Sequence, residues 1–185
     1  MAKLIYTAIC SADGYISDAD GGFDWAAPDE QVHAFVNDLE RNIGTYLYGR
    51  RIYETMRVWQ DLGDDENPVV RDFARVWQAS RKVVYSAALD RVSTPDTTLE
   101  RSFEPTAVAE LKRSSQSDLS IGGATLAGIA LATGLVDEVR LLIAPAIVGG
   151  GTRALPDDVR LDLELLDERR FDSGVVYLRY AVAAA

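Results

Sequence analysis

A chain of 185 residues with 19 basic and 29 acidic side chains carries a net charge of −10, a field that repels a polyanion and excludes nucleic acid as a partner. Its hydrophobic share of 48% and charged share of 26% are those of a globular protein, and no apolar run approaches the ~20 residues of a membrane-spanning helix. One cysteine, Cys10, cannot close an internal disulfide and one histidine, His33, leaves no Cys/His cluster for a metal, so the composition predicts a metal-free cytoplasmic protein folded as a single domain over 1–185.

The first apolar run, Lys3 to Cys10, is short and followed by acids rather than a small-residue cleavage site, and it predicts a strand with no leader peptide. Residues 11 to 28 then have no strand or helical period and predict a flexible loop holding Asp13, Asp18, Asp20 and Asp24 beside Tyr15, Phe23 and Trp25. Asp29 to Asn42 places Val32, Phe35, Val36 and Leu39 on one helical face behind an acidic start. Gly44 to Tyr48 predicts a strand, 57 to 67 a loop, and Asn67-Pro68 the cap and first position of a helix through Phe73 and Trp77. Lys82 to Tyr85 and Asp118 to Ile121 are further strands, with a helix from Thr106 to Arg113 between them. A last helix, Gly123 to Thr133, ends at Gly134. Glu138 to Ile143, Leu161 to Leu166 and Val175 to Val182 are strands without intervening helices, separated by a loop at 145 to 158 and a turn at Asp172-Ser173-Gly174. Alternating β and α elements imply a mostly parallel sheet with helices on both faces, and the last three strands imply an antiparallel edge.

Two strand-to-helix turns have the chemistry of phosphate sites. At Gly49-Arg50-Arg51 a strand ends on glycine and a short helix opens with two guanidinium groups, which donate in bidentate pairs. At Ile121-Gly122-Gly123-Ala124 paired glycines let the backbone approach a ligand closely, although the spacing is not the G-x-G-x-x-G of a Rossmann fold. Each turn also has a plain structural reading, a tight turn with solvated arginines in one case and close helix packing in the other. Ligands of open α/β sheets bind outside the carboxyl ends of the strands, so an extended dinucleotide would bridge both turns.

The order S-x-D-G-Y-I (Ser11 to Ile16) ending in Asp24-Trp25, G-R-R-x-Y-E (Gly49 to Glu54), I-G-G-x-x-L (Ile121 to Leu126) and A-P-x-x-x-G-G-G (Ala144 to Gly151) resembles the dihydrofolate reductase-like family, typified by the C-terminal reductase domain of bacterial riboflavin biosynthesis enzymes. The resemblance runs from Leu4 to Val182. It implies a three-layer α/β fold with a mixed, mostly parallel sheet of about eight strands closed by an antiparallel C-terminal hairpin. It also implies NADPH as cofactor, with phosphate contacts at Gly49, Arg50, Arg51, Gly122, Gly123, Ala124, Thr125 and Leu126 and a hydroxyl contact from Ser86. A cis peptide is expected at Gly122-Gly123, as in dihydrofolate reductases. Ile52 stands where the family often has threonine. The substrate carboxylate of dihydrofolate reductases lies on the first helix, where Asp29, Glu30, Gln31 and His33 give no clear register.

In the family the loop at 11 to 28 closes over the nicotinamide, so Gly14, Gly21 and Gly22 give it freedom and Ile16, Phe23 and Trp25 exclude water. Asp13 and Asp24 are then the catalytic candidates, and Asp24, Trp25 and Arg153 the substrate-binding ones. His33 and Cys10 read as packing residues. The chain carries none of the zinc-binding residues of a fused deaminase, so a stand-alone reductase is expected. Its substrate is a small pterin-like, aminopyrimidine or carbonyl compound. A homodimer resembles the family habit, with Leu141-Leu142-Ile143 as candidate contacts. The alternative is a non-catalytic nucleotide-binding sensor or scaffold on the same fold.

Overall fold

The computed structural model describes residues 1–183. In chain order its elements are β1 (Leu4–Ser11), β2 (Tyr15–Ser17), α1 (Glu30–Glu40), β3 (Ile43–Gly49), α2 (Arg50–Met56), α3 (Pro68–Ala79), β4 (Arg81–Tyr85), β5 (Thr97–Glu100), α4 (Pro105–Ser114), β6 (Asp118–Gly122), α5 (Ala124–Ala132), β7 (Glu138–Ala144), β8 (Thr152–Arg153), β9 (Leu163–Arg170) and β10 (Val176–Val182), with 3-10 turns at Asp24–Ala26 and Arg57–Gln60.

Successive side chains of a strand leave on opposite faces, so a strand covered on both is apolar throughout. β1 follows that rule. Leu4, Tyr6, Ala8 and Cys10 enter one layer with Val108 of α4 and Leu126, Ala127 and Ala130 of α5. Ile5 enters the opposite layer with Tyr46, Tyr53, Phe73 and Trp77, and Ile9 packs on the same side among Val32, Phe35 and Leu142. α1, α2 and α3 therefore lie on one face of the sheet and α4 and α5 on the other, which makes three layers. The helix starts follow local chemistry. Asn67 Oδ1 accepts from the amides of Val69 (2.9 Å) and Val70 (3.5 Å) with Pro68 at the first position, and Asp29 Oδ1 accepts from Val32 N at 2.8 Å.

The eight-stranded sheet has the order β5-β4-β3-β6-β1-β7-β10-β9. All neighbouring pairs from β5 to β7 are parallel, and β10 is antiparallel to both β7 and β9. The last three strands thus form the expected antiparallel edge β7-β10-β9, and β7 joins it to the parallel part by pairing with β1, because Gly134 to Asp137 returns the chain from α5 to the sheet like any other crossover. The strand expected at Leu161 to Leu166 runs instead from Leu163 to Arg170. Its charged second half hid it, since an edge strand exposed on both sides needs no apolar period. β5, too short and polar to show a period, was not expected either.

The loops expected at 11 to 28 and 145 to 158 contain a small second sheet. Tyr15 pairs with Arg153 and Ser17 with Thr152, and around these Ala12 N donates to Ala146 O at 2.7 Å, Ala154 N to Gly14 O at 2.9 Å, and the Tyr6 hydroxyl to Ala154 O at 2.6 Å. Gly151, at φ +126, lies so close that a Cβ there would fall 2.0 Å from Ser17 O.

At the amino ends of the strands Glu138, 1% exposed, accepts from Lys3 at 2.5 Å, Arg179 at 2.9 Å and Arg140 at 3.2 Å. Burial alone would raise its pKa, but the hydrogen bonds from Arg179 and Lys3 and the charge of Arg140 outweigh it and hold the carboxyl at about 2.

Candidate active site

β3 and β6 are parallel neighbours with Tyr48 opposite Gly122, so the turns that follow them stand side by side at the carboxyl rim of the sheet. Gly49 and Gly123 are the residues before α2 and α5, and neither helix has a side-chain cap. The first amides of a helix have no partner within it, so those of Arg50 and Arg51 and those of Ala124, Thr125 and Leu126 are available at adjacent points. The two glycines of the second turn do different things. A Cβ on Gly122 would lie 2.9 Å from Cδ1 and Cε1 of Tyr48, so this position is small because the Tyr48 ring occupies the space. Gly123 takes φ +96 and ψ 121, which reverses the chain into α5. No cis peptide occurs among the described residues, contrary to expectation at Gly122-Gly123. The positive φ of Gly123 makes the reversal instead.

Gly49 has open space around it: a Cβ there would meet nothing within 4 Å. Arg50 Nε is held by Glu54 Oε1 at 2.8 Å, one turn along α2, whereas Arg51 is exposed and makes no ion pair among the described residues. Ser86 follows β4, the next strand out, and its Oγ accepts from Leu89 N at 3.0 Å and Ala88 N at 3.3 Å, which leaves the hydroxyl proton free to donate. Arg101 secures the same turn by donating to Leu89 O at 2.6 Å. Ile52 lies beside Gly122 and Gly123, so an apolar branch stands where a threonine hydroxyl would be.

Further along the same rim a cavity of about 190 Å³ opens at the ends of β1 and β7, lined by Ile9, Trp25, Pro28, Asp29, Val32 and Val175 among others. A larger cavity of about 440 Å³, between Glu54, Arg57, Asp61 and Thr94, lies on the outer side of α2 and includes neither glycine turn. The smaller one has the chemistry of a binding site: an aromatic wall, apolar floor residues and a carboxylate. Trp25 Nε1 is buried with no hydrogen-bond partner among the described residues.

The carboxylate on this cavity is Asp29. Its Oδ1 caps α1, and Oδ2 accepts no hydrogen bond among the described residues. Of Asp29, Glu30, Gln31 and His33, Asp29 alone lines this cavity. His33 packs instead against the rings of Trp59 and Phe73, each 5.7 Å away, and burial lowers its pKa against the opposing pull of Asp72. The signal for Asp29 in the sequence was its place in the acidic start of α1 alone, because where such a side chain points depends on the path of the preceding loop.

Of the loop residues named from the sequence, only Trp25 lines the cavity. Asp24 begins the 3-10 turn and is exposed. Asp13 accepts from Gly149 N at 2.8 Å and Val148 N at 3.2 Å, and a hydrogen bond from Ser11 with these amides holds its carboxyl below the usual range, so it fastens the late loop. Arg153 is paired with Asp157 at 3.0 Å and stacks over the Tyr15 ring at 5.3 Å. Neither Asp13 nor Arg153 lines the cavity.

The molecule is thus a three-layer α/β domain with two uncapped helix starts and a carboxylate-bearing pocket along one rim of its sheet. The chain belongs to the RibD C-terminal domain family, whose model matches residues 2–177. It is 29% identical to the uncharacterized protein YyaP of Bacillus subtilis (strain 168) over 96% of this chain and 94% of that one. Its fold matches that of a putative riboflavin biosynthesis protein from Shewanella sp. PV-4 with a TM-score of 0.77 at 20% identity, over 100% of both chains. It also matches a diaminohydroxyphosphoribosylaminopyrimidine deaminase/5-amino-6-(5-phosphoribosylamino)uracil reductase from Thermotoga maritima, with a TM-score of 0.68 at 16% identity, over 98% of this chain and 57% of the other. No helix among the described residues is long and apolar enough to cross a membrane.

Proposed function

We propose that this protein is an NADPH-dependent reductase of a small heterocyclic, pterin-like or aminopyrimidine, or carbonyl substrate. The observation that carries the reading is the adjacency of Gly49 and Gly122 on paired strands, with uncapped helix amides after each. The residues fit a dinucleotide: Gly49 faces open space that a side chain would fill, and Arg51 is the cation left free beside it. When bound, NADPH supplies the hydride.

The chain's own residues then have three tasks. The amides of Ala124 to Leu126 and the Arg51 guanidinium hold anionic phosphate, with the Ser86 hydroxyl as a further donor. Trp25, Ile9, Val32 and Val175 exclude water from the pocket and shape it for a planar ring. Asp29 accepts from N–H groups of that ring through its unpartnered oxygen, and Trp25 Nε1 donates to a ring or carbonyl oxygen. No histidine stands at the pocket, so the proton that accompanies hydride transfer comes from solvent. The lone buried thiol suits a reducing cytoplasm.

The test is titration of NADPH and NADH by fluorescence, then NADPH oxidation with a panel of pterins, quinones and aminopyrimidines. Arg51→Ala should weaken NADPH about tenfold and NADH little, because only NADPH carries the extra phosphate; Arg50→Ala, whose guanidinium Glu54 already holds, should do less. Equal losses for both nucleotides would misplace the 2′-phosphate. The apolar Ile52 beside Gly123 supports a second reading, a nucleotide-binding sensor, and binding without oxidation across the panel would favour it.

A further inference from the structure

Two parts of the chain that share no main-chain hydrogen bond among the described residues both line the pocket of about 190 Å³. Asp29 and Val32 enter it from the start of α1, and Ser173 and Val175 from the turn between β9 and β10. That turn is closed on itself: Phe171 N donates to Val175 O at 2.9 Å and Gly174 N to Phe171 O at 3.0 Å, with Gly174 at φ +87. Where its residues stand relative to α1 is left to side chains.

Gln31 makes the connection. Its Oε1 accepts from Asp172 N at 3.1 Å and its Nε2 donates to Asp172 Oδ2 at 3.5 Å, so one amide holds both the main chain and the side chain of the residue before Ser173. One helical turn further along the same face of α1, the Phe35 ring meets that of Phe171 at 5.2 Å and that of Tyr177 at 4.8 Å. The seam between helix and hairpin is therefore apolar and buried at Phe171 and Tyr177, and polar and exposed at Gln31 and Asp172. The two parts do different things. Apolar contact is non-directional, so the rings hold helix and hairpin together without fixing the turn closely. Two hydrogen bonds to one residue are directional and do fix it, although water competes with an exposed pair and leaves it a small share of the stability.

With the pocket read as the substrate site, we propose that Gln31 is a positioning residue for the substrate. By holding Asp172 it sets the distance between the Asp29 and Ser173 sides of the pocket, and with it the width of the ring that fits between the free Asp29 oxygen and the Ser173 hydroxyl. Neither Gln31 nor Asp172 lines the pocket, so the effect passes through the turn. Recognition groups have to be held to within about 0.5 Å to be useful, which is the precision that a two-point grip supplies and a ring contact does not.

Fluorescence titration of pterin into the full chain, with NADP⁺ present, tests this. Gln31→Glu sets a second carboxylate against that of Asp172 and should weaken pterin at least fivefold, while the melting temperature and the affinity for NADP⁺ stay near those of the wild type. Asp172→Asn keeps an acceptor for Gln31 Nε2 and should stay within about twofold. In the double variant the carboxylate at 31 can accept from both the main-chain and the side-chain amide at 172, and the net charge of the pair equals that of the wild type; pterin affinity should return. Unchanged binding in Gln31→Glu, a loss that NADP⁺ shares equally, or a double variant as weak as Gln31→Glu would overturn the proposal and leave the pocket reading standing. A wild type that binds NADP⁺ but no pterin would overturn both.

Discussion

Replacing Gly122 and Gly49 separately by alanine divides the packing role of these turns from their ligand role. A methyl on Gly122 would fall 2.9 Å from two carbons of the Tyr48 ring and 3.4 Å from Ile52 Cγ1, against the ~3.5–4.0 Å of an ordinary carbon contact. Tyr48 has nowhere to go: it is 3% exposed, stacks on Tyr46 with ring centroids 5.3 Å apart, and its hydroxyl accepts from Trp77 Nε1 at 3.3 Å. Overpacking of this kind costs ~1–3 kcal/mol. For a chain of this size each kcal/mol moves the melting temperature by ~2–4 °C, so a cost of about 2 kcal/mol lowers it by about 4–8 °C. Gly49 sits at φ −74 and ψ 165, which alanine adopts freely, in space with nothing within 4 Å. Gly49→Ala should hold its stability to within about 0.5 kcal/mol of the wild type, yet raise the NADPH dissociation constant about tenfold by filling the approach to the helix amides. Differential scanning fluorimetry with and without nucleotide reads both quantities. Equal destabilisation by the two substitutions, or unchanged nucleotide affinity in Gly49→Ala, would refute the division.

Asp29→Asn keeps a good helix cap, so its melting temperature should stay near that of the wild type while KM for the substrate rises at least tenfold; Asp29→Ala should add about 1 kcal/mol of instability from the lost cap. Retained KM in Asp29→Asn would remove this carboxylate from substrate recognition. Glu138→Gln leaves Arg140 and the guanidinium of Arg179 facing a neutral amide and should cost about 3–5 kcal/mol at pH 7 in chemical denaturation. Since the folded pKa of Glu138, about 2, lies below its ordinary value of 4.5, its contribution is complete above that ordinary value and lost as pH falls toward 2. The gap between wild type and variant should therefore narrow between pH 5 and pH 2, and a constant gap would show that the carboxylate charge is not what stabilises the cluster.

What the sequence disclosed follows the range of the forces involved. Asn67-Pro68 announces α3 because a cap and a fixed φ act within three residues. The apolar β1 and β6 announce strands buried on both sides because burial demands it of every residue. The glycine turns were legible for the same local reason, and their adjacency followed from parallel strands that share a rim. Asp29 was not singled out among its neighbours, since the direction of a helix cap is set by a loop whose course depends on distant partners such as Val148 and Gly149. β9 was misplaced because its leucines stop at Leu166 while its pairing continues to Arg170, and pairing with β10 leaves no trace in a solvent-facing composition.

The seam between residues 12–17 and 146–154 has a mechanical meaning. Main-chain bonds at Ala12 and Gly14, the Asp13 carboxylate and the pairing of Tyr15 with Arg153 tie two segments more than a hundred residues apart in sequence into one body. Neither segment can be displaced alone without shearing several of these hydrogen bonds at once. A side chain on Gly151, which would fall 2.0 Å from Ser17 O, would therefore be felt across both plies of this seam.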